Sequence, residues 1–378
     1  MRWTDIHIRG VGAVLGDIIP VDDLTSGSTR RKVTRPSGQR AISLARGKTG
    51  MDLAVQAGRN ALASLAMTSD GPLATPDLHF HAAIWRGSRG LDFWSRAAYV
   101  RSRLGLPAGP GIATEINAMS NSLVGGLDLS ARILAGSKDS GTVMLTGGET
   151  FGSPAFDHLT ADRDIAYGDG GSALIIGRKP GLAQVLATSS WSDPSLEQLH
   201  RGATRFQPPG TTEVGVEAIH ERKAQYLDTV GAESVRQRND TGITYVTNEA
   251  LCHAGLDSTD LSWVLLPHYG HHLLHTQCLQ PLRLPRERTL IHAGDQWGHV
   301  GPNDQLIGLT HLLTRHAVAP GDHVALIGIG IGMTWTASIL RITAVPDAMR
   351  NFQLPTLLPW KAHPSATAVA AHTSNPER

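Results

Sequence analysis

The feature that most constrains the fold is an alternation of strand-like and helix-like segments, which occurs twice along the chain in glycine-punctuated blocks. In the first block, residues 141–146 and 171–177 are short apolar runs with turn residues on both sides, a pattern that predicts buried strands. Residues 51–65 carry apolar side chains at helical spacing. In the second block, residues 305–315 predict a helix and residues 324–328 a strand. Repeated alternation of this kind predicts an α/β architecture with mostly buried sheets.

The length of the chain suits two domains of ordinary size, because 378 residues exceed what one small core organises. We predict an N-terminal half at residues 1–180 and a C-terminal half at residues 241–346. Residues 181–240 are polar and contain Gly, Pro and Thr, so we predict a linker or active-site cover there. Residues 347–378 are rich in Pro, Ala, Thr and His, which predicts a disordered tail.

Composition and charge exclude several classes of function. No stretch approaches the ~18 consecutive apolar residues of a membrane span. The N-terminus lacks the apolar core of a signal peptide, so we expect a cytoplasmic protein. A formal net charge of +1 argues against a bulk electrostatic grip on nucleic acid. Two cysteines without a CxxC pair exclude a disulfide framework.

Four stretches carry a resemblance to a known family. The first reads Glu115-Ile-Asn-Ala-Met-Ser120-Asn-Ser-Leu-Val-Gly-Gly-Leu127, and the second reads Tyr167-Gly-Asp-Gly-Gly-Ser-Ala173. The third runs from Ala254-Gly-Leu to Pro267-His268, and the fourth reads Gly328-Ile-Gly-Ile-Gly-Met-Thr-Trp335. In this order they resemble ketoacyl synthase III of the thiolase fold, over roughly residues 1–345.

The resemblance implies a fold, an assembly and candidate site residues. The family fold is two similar α/β halves, each with a five-stranded sheet, in an αβαβα layered arrangement, and its members are usually homodimers. Ser120 occupies the position of the family's nucleophilic cysteine, and His268 occupies that of a catalytic histidine. The substrate implied is an acyl-CoA or a phosphopantetheine thioester on an acyl carrier protein, with no tightly bound cofactor.

One further segment departs from the family pattern. The family has Asn in a Tyr-Gly-Asn-Thr segment, whereas this chain reads Trp297-Gly-His299-Val-Gly-Pro-Asn303-Asp304. His299 therefore takes the Asn position, and Asp304 follows five residues later. The pattern resembles a subgroup of acyltransferases from natural-product pathways, such as antibiotic and polyketide biosynthesis. Those proteins move an acyl group onto a hydroxyl, an amine or a carrier thiol without forming a C–C bond.

Ser120, His299 and Asp304, which together depart from the family pattern, are the residue types that acyl transfer by a serine nucleophile requires. A thiolate attacks a thioester with modest help, whereas a serine hydroxyl needs a base within hydrogen-bond reach and a group that orients the base. His299 can supply that base, and Asp304 can orient it, which together follow the logic of a serine hydrolase triad. Asp304 can equally cap the helix from Gln305, and the two roles are compatible.

The oxyanion formed during acyl transfer needs hydrogen-bond donors. We expect the N–H of Ser120, at the start of a helix, to supply one donor. The alignment places the second donor on the N–H of Ile331, or of Gly330 if the register slips by one. His268 can hydrogen-bond the incoming acceptor or help hold the oxyanion, and Asn121 and Asp169 are expected to support the backbone nearby.

Basic, histidine and cysteine residues elsewhere give weaker expectations. Arg30, Arg31 and Arg40 lie in a Gly/Ser/Pro-rich stretch that is either a solvated loop or a contact for the phosphates of coenzyme A or an acidic carrier protein. His271, His272 and His275 lack Asp, Glu or Cys at ligand spacing, so we expect a polar helix face and no metal. Cys252 and Cys278 match no catalytic position and are interpreted as packing residues.

Three functions remain open from the sequence. The first is an acyltransferase that holds an acyl group as an ester on Ser120 and passes it to an acceptor. The second is decarboxylative condensation by an unusual nucleophile, which keeps His268 but lacks the family Asn. The third is an inactive partner subunit of an active ketosynthase, in which Ser120 is an inert packing residue.

Overall fold

The computed structural model describes residues 1–24, 38–69, 75–84, 94–137, 141–152, 156–203 and 219–357. The predicted basic contacts at Arg30 and Arg31 lie outside these ranges. Within them, none of the helices combines the length and the apolar character that a membrane span requires.

Nine of the strands form one mixed sheet, and two short strands pair separately. The strands are β1 (His7–Leu15), β2 (Asp17–Pro20), β3 (Ala41–Leu44), β4 (Leu78–Ala82), β5 (Ala113–Glu115), β6 (Thr142–Glu149), β7 (Gly170–Gly177), β8 (Ala183–Ser192), β9 (Leu261–Leu265), β10 (His323–Gly330) and β11 (Thr334–Ile342). The order in the large sheet is β5-β4-β6-β7-β1-β8-β11-β10-β9.

The helices lie on both sides of this sheet. They are α1 (Val21–Leu24), α2 (Gly50–Ala66), α3 (Arg96–Arg103), α4 (Ser122–Gly136), α5 (Gln198–Arg201), α6 (Ile219–Val230), α7 (Ala232–Ala254), α8 (His271–Leu274), α9 (Gln280–Leu282), α10 (Ile291–Trp297) and α11 (Asp304–Thr314). Single 3₁₀ turns at Met119–Asn121 and Gly301–Asn303 precede α4 and α11.

The large sheet consists of two halves with the same pairing pattern. In the first half β4 is parallel to β6, whereas β6, β7 and β1 are successively antiparallel. In the second half β9 is parallel to β10, whereas β10, β11 and β8 are successively antiparallel. The halves meet through a short pairing of β1 with β8, His7↔Gln184 and Ile8↔Ala183.

Layering follows from which strands each helix contacts. Helix α2 packs on β1, β6 and β7, and α7 packs on β8, β10 and β11, so each covers the outer face of one half. Helices α4 and α11 contact strands of both halves and therefore lie between them. This is the αβαβα arrangement of the thiolase fold, as predicted.

Local sequence explains the main elements of the first half. Strands β6 and β7 are buried at every position, and their sequences are correspondingly continuous runs of apolar or small residues. Helix α2 begins at a capping box in which Thr49 and Asp52 satisfy each other's backbone N–H. A Cβ on Gly12 would lie 2.1 Å from the Ala57 carbonyl oxygen, so only glycine lets β1 approach α2 this closely.

The structure corrects three expectations. Residues 181–240 are not only a linker, because β8 supplies the strand of the second half that joins β1. The second half has four strands among the described residues, and a single parallel bridge, Val264↔Thr289, stands at the position of a fifth. Part of the predicted tail is packed, since residues 347–352 form a 3₁₀ helix that buries Met349. Residues 358–378 lie outside the described ranges.

Candidate active site

The predicted nucleophile lies in the tight turn that leads into the central helix α4. Ser120 belongs to the 3₁₀ turn Met119–Asn121 rather than to the α-helix itself, which begins at Ser122. Met119 adopts a φ of +51°, a left-handed conformation that is uncommon for a non-glycine residue and often occurs at functional sites. The Ser122 hydroxyl fixes this turn by accepting from Ala118 N (2.8 Å) and donating to Met119 O (2.7 Å). These bonds fix the backbone of the turn, and Ser120 within it is 7% exposed.

His299 reaches Ser120 from the opposite half of the molecule. Its Nε2 lies 2.9 Å from Ser120 Oγ. The backbone of His299 pairs with the segment before β7, donating to Ala166 O (2.8 Å) and accepting from Gly168 N (3.0 Å). Because this pairing ties the histidine to the first half, the imidazole is positioned by both halves at once.

Asp304 completes the predicted arrangement. Its Oδ2 lies 2.5 Å from Nδ1 of His299, and the side chain is fully buried. The turn Gly301–Asn303 folds the chain back, so that Val300 N donates to Asp304 Oδ1 (2.8 Å). The carboxylate accepts from these groups rather than from the first N–H groups of α11. The structure therefore does not show Asp304 capping the helix from Gln305. It shows the carboxylate in the position expected for orienting His299.

The same carboxylate also faces His268. The backbone N–H of His268 donates to Asp304 Oδ2 (2.7 Å), and Nδ1 of His268 lies 3.3 Å from Asp304 Oδ1. One buried carboxylate therefore serves two imidazoles, His268 and His299.

The tautomer of each histidine follows from its partners. A carboxylate and a carbonyl oxygen only accept hydrogen bonds, so the ring nitrogen beside them carries the proton. Nδ1 of His299 faces Asp304, which leaves Nε2 free to accept from the Ser120 hydroxyl. Nδ1 of His268 faces Gly298 O (3.2 Å) as well as Asp304, so Nδ1 carries the proton and Nε2 is an unprotonated acceptor.

Burial and charge set the ionisation of this group. Burial raises the pKa of Asp304, but the two histidines and their hydrogen bonds outweigh it, and the net pKa lies below the ordinary value. Burial lowers the pKa of His268, and the Asp304 charge offsets only part of that effect. The site therefore combines an ionised Asp304 with a neutral His268 near pH 7.

Two tyrosines enclose the His299 ring. The ring centroid of Tyr167 lies 5.4 Å from that of His299, and the centroid of Tyr269 lies 5.3 Å away. Burial raises the pKa of both phenols, so they remain neutral. Sequence reasoning did not assign a role to Tyr269, although its place directly after His268 was a signal that could have found it.

The predicted oxyanion loop is adjacent to the nucleophile turn. A Cβ on Gly330 would lie 2.0 Å from Ala118 O, so the end of β10 packs directly on the turn that carries Ser120. Ile331 is the next residue and is half-buried. The role of Ser120 and Ile331 N–H groups as oxyanion donors stays a prediction.

The supporting residues occupy buried positions. Asn121 donates to the hydroxyls of Thr334 (3.1 Å) and Thr336 (3.0 Å), which ties the nucleophile turn to β11. Asp169 accepts from Ala45 N and Phe151 N, both at 2.9 Å. The side chain of Gln39 also reaches the backbone of the site from a segment far away in sequence, and no local pattern signalled it.

Other predicted residues lie apart from this group. Arg40 is exposed, and its backbone N–H donates to Asp295 O (2.7 Å). The structure brings Asp295 to His271, with 2.7 Å between Oδ1 and Nε2, a partner that sequence spacing could not show. The described residues hold no cluster of three or more His, Cys, Asp or Glu side chains placed to bind a metal. Cys278 is buried, whereas Cys252 is exposed on α7 and is not a packing residue.

Comparison with known proteins supports the resemblance. Residues 251–342 match the family model described as 3-oxoacyl-[acyl-carrier-protein] synthase III C terminal. A β-ketoacyl-[acyl-carrier-protein] synthase III from Dinoroseobacter shibae is 25% identical over 346 residues, covering 88% of this chain and 98% of that protein. The enzyme of the same name from Aquifex aeolicus is 24% identical over 313 residues, covering 82% of this chain and 89% of that protein.

Solved structures show the same fold. ChlB3, described as an acyltransferase, superposes with a TM-score of 0.79 at 25% identity, covering 91% of this chain and 99% of that chain. FabH from Pseudomonas aeruginosa PAO1, a 3-oxoacyl-(acyl carrier protein) synthase III, gives a TM-score of 0.70 at 21% identity, covering 90% and 99%. The resemblance that the four motifs carry is confirmed: the chain has the thiolase fold and is similar to ketoacyl synthase III proteins over most of its length.

Proposed function

We propose that this protein is an acyltransferase that takes an acyl group from a thioester onto Ser120 and passes it to an acceptor without forming a C–C bond. The observation that carries the proposal is the chain of contacts from Ser120 Oγ to His299 Nε2 (2.9 Å) and from His299 Nδ1 to Asp304 Oδ2 (2.5 Å). Such a chain lets a serine hydroxyl act as a nucleophile at neutral pH.

In the first half of the reaction, His299 Nε2 accepts the Ser120 proton as Oγ attacks the thioester carbonyl carbon. Asp304 stays ionised and stabilises the imidazolium that forms. The intermediate then collapses, the C–S bond breaks, and the leaving thiol takes the proton from His299. In the second half, the acceptor loses its proton to His299 as it attacks the carbonyl carbon of the ester. The bond between that carbon and Ser120 Oγ then breaks, and Oγ takes the proton back from His299.

Donor and acceptor follow from the kind of protein that the chain resembles. The relatives are named as acyl-carrier-protein synthases, and the structural neighbour ChlB3 is named as an acyltransferase. The relatives' names favour an acyl carrier protein as the donor. An acyl-CoA as the alternative donor, and a carrier thiol, hydroxyl or amine as the acceptor, are part of the proposal. A homodimer and a place in natural-product biosynthesis remain part of the proposal.

Decarboxylative condensation fits the site less well. Stabilising an enolate requires hydrogen-bond donors aimed at its oxygen. His268 directs its Nδ1–H toward Gly298 O and Asp304, so its Nε2 offers a lone pair instead. At the family's Asn position, the Nε2 of His299 is engaged with Ser120. An inactive partner subunit is also disfavoured, since an inert serine needs neither His299 nor Asp304.

Intact-mass analysis tests the proposal. The protein is incubated with acetyl-, propionyl-, butyryl- and malonyl-CoA, and with the same acyl groups on an acyl carrier protein. We expect one acyl mass to be added to the wild-type protein and none to Ser120→Ala, whereas Ser262→Ala, on β9, labels like the wild type. Equal labelling of Ser120→Ala would refute the assignment of the nucleophile. Release of CO₂ from the malonyl donor would favour condensation, and stable co-purification with a second ketosynthase without acylation would favour the partner subunit.

A further inference from the structure

A buried amide joins three segments of the site that are far apart in sequence. Gln39 Oε1 accepts from Ala166 N (2.6 Å). Its Nε2 donates to His268 O (3.0 Å) and to Ala166 O (3.3 Å). The residue is 7% exposed, so these hydrogen bonds form away from bulk water, where an unpaired partner is costly.

Both histidine-bearing segments depend on this amide. One of its bonds ends on the carbonyl of His268 itself. The other two end on Ala166, whose carbonyl also accepts the backbone N–H of His299 (2.8 Å). Gln39 therefore contacts His268 directly and is connected to His299 through Ala166.

The segment around Gln39 is held independently on both sides. The backbone N–H of Arg40 donates to Asp295 O (2.7 Å). A Cβ on Gly38 would lie 2.3 Å from Nδ1 of His271, so the chain at Gly38, with its φ of +78°, packs against that ring. A substitution of the Gln39 side chain leaves these two backbone contacts in place.

We propose that Gln39 is a positioning residue that sets how His268 and His299 stand relative to each other around Asp304. This role rests on the proposed acyl transfer. The carbonyl oxygens of Ala166 and His268 are acceptors and Ala166 N is a donor, so only an amide satisfies all three. A carboxylate of the same shape would face two carbonyl oxygens. An apolar side chain would remove the partner of Ala166 N and of His268 O, while Ala166 O would keep its bond from the backbone N–H of His299. A shift of about 1 Å in a catalytic group can reduce the rate by ~10²-fold.

The test uses p-nitrophenyl acetate, a small activated ester that acetylates an activated serine whatever its natural acyl donor is. The variants are Gln39→Glu, which keeps the shape, and Gln39→Met, which removes the polar atoms. The matched controls are Gln56→Glu and Gln56→Met on α2, where the exposed Gln56 amide bonds Asn60 (3.2 Å). Pre-steady-state bursts of p-nitrophenolate give a rate constant, and the burst amplitude gives the fraction of active protein.

We expect both Gln39 variants to lower the acylation rate constant about 10-fold to 100-fold, with little change in the ester concentration at half-saturation. Both Gln56 controls should stay within about 2-fold of the wild type. Relative to the wild type at the same pH, Gln39→Glu should recover part of the rate at lower pH, since a protonated carboxyl can donate one hydrogen bond again. A merely structural role would reduce the amplitude and leave the rate constant unchanged, and that result overturns the proposal. Absence of a Ser120-dependent burst in the wild type would overturn the proposed function and this proposal with it.

Discussion

The Oδ2 atom of Asp304 lies 2.5 Å from Nδ1 of His299, although the two residues are separated by a turn of glycine and proline. The carboxylate is fully buried, and backbone N–H groups of Val300 and His268 hold it in place. These partners compensate the burial of the carboxylate, which would be strongly destabilising without them.

Replacing Asp304 by Asn tests the orienting role. The amide can donate to Nδ1 of His299, which would move the ring proton to Nε2 and remove the base that Ser120 needs. We expect Asp304→Asn to slow acylation by about 10³-fold in the fraction of protein that stays folded, since loss of the corresponding carboxylate in such triads leaves the histidine in the wrong tautomer.

The control for this variant is Asp295→Asn. Asp295 is also a buried carboxylate paired with a histidine, His271 (2.7 Å), but it lies outside the Ser120 group. We expect its acylation rate to stay within a few-fold of the wild type. A similar loss in both variants would mean that Asp304 acts through general stability. Burst kinetics and thermal melting together separate the two cases.

A double-mutant cycle tests whether His299 activates Ser120. His299→Asn should slow acylation by about 10³-fold in the wild-type background, within the range for loss of a general base. In a Ser120→Cys background the same substitution should cost about 10-fold or less, because a thiol is partly ionised near neutral pH. The measurement is the acylation rate with whichever thioester labels the wild-type protein. Equal losses in the two backgrounds would show that His299 does not serve as the base.

The residues of the candidate site could be predicted from the sequence where they lie in local motifs. Ser120, His268 and His299 lie in short motifs whose order identifies them, and Asp304 lies one turn beyond His299. The buried strands were also predictable, because β6 and β7 are buried on both faces and show continuous runs of small or apolar residues.

Features that depend on contacts between segments far apart in the chain could not be predicted from the sequence. The amide of Gln39 meets Ala166 and His268 across separations of 127 and 229 residues, and its neighbours in sequence give no hint of this. Strand β8 ends in polar residues that suggest a loop. In the fold the hydroxyls of the buried Thr188 and the exposed Ser190 donate to Asp128 on α4, so a helix from the other half satisfies polar groups at the end of this strand.

Two buried histidines on β4 predict how stability depends on pH. His79 Nε2 and His81 Nδ1 lie 2.8 and 3.0 Å from the hydroxyl of Thr146, and burial lowers the pKa of each from 6.5 to about 3. Between pH 6.5 and about 3 the unfolded chain binds more protons at these residues than the folded chain does. The free energy of unfolding should therefore decrease as pH falls below 6.5, by up to about 1.4 kcal/mol per pH unit for each histidine.

Denaturant unfolding at pH 7.5, 6 and 5 measures this slope. In His81→Gln the decrease between pH 6 and 5 should be shallower by about 1.2 kcal/mol, since the unfolded histidine is mostly protonated over this interval. The comparison concerns the slope, so a constant loss of stability in the variant does not affect it. A variant slope equal to that of the wild type would contradict neutral burial of His81.

The contact between Gly330 and the nucleophile turn gives a last prediction. A methyl group at Gly330 would lie 2.0 Å from Ala118 O and 3.1 Å from Asn121 N, both backbone atoms that cannot rotate away. Gly330→Ala must therefore push the end of β10 away from the turn that carries Ser120, at a cost of about 1–3 kcal/mol in the free energy of unfolding. The acylation rate should fall more than this loss of stability implies, because the shift separates the predicted oxyanion donors. The control is Gly109→Ala, where nothing lies within 4 Å of the added methyl group. It should change neither the free energy of unfolding nor the acylation rate. Unfolding curves combined with the burst rate constant decide the matter: a destabilised but fully active Gly330→Ala would show that the loop after β10 takes no part in acyl transfer.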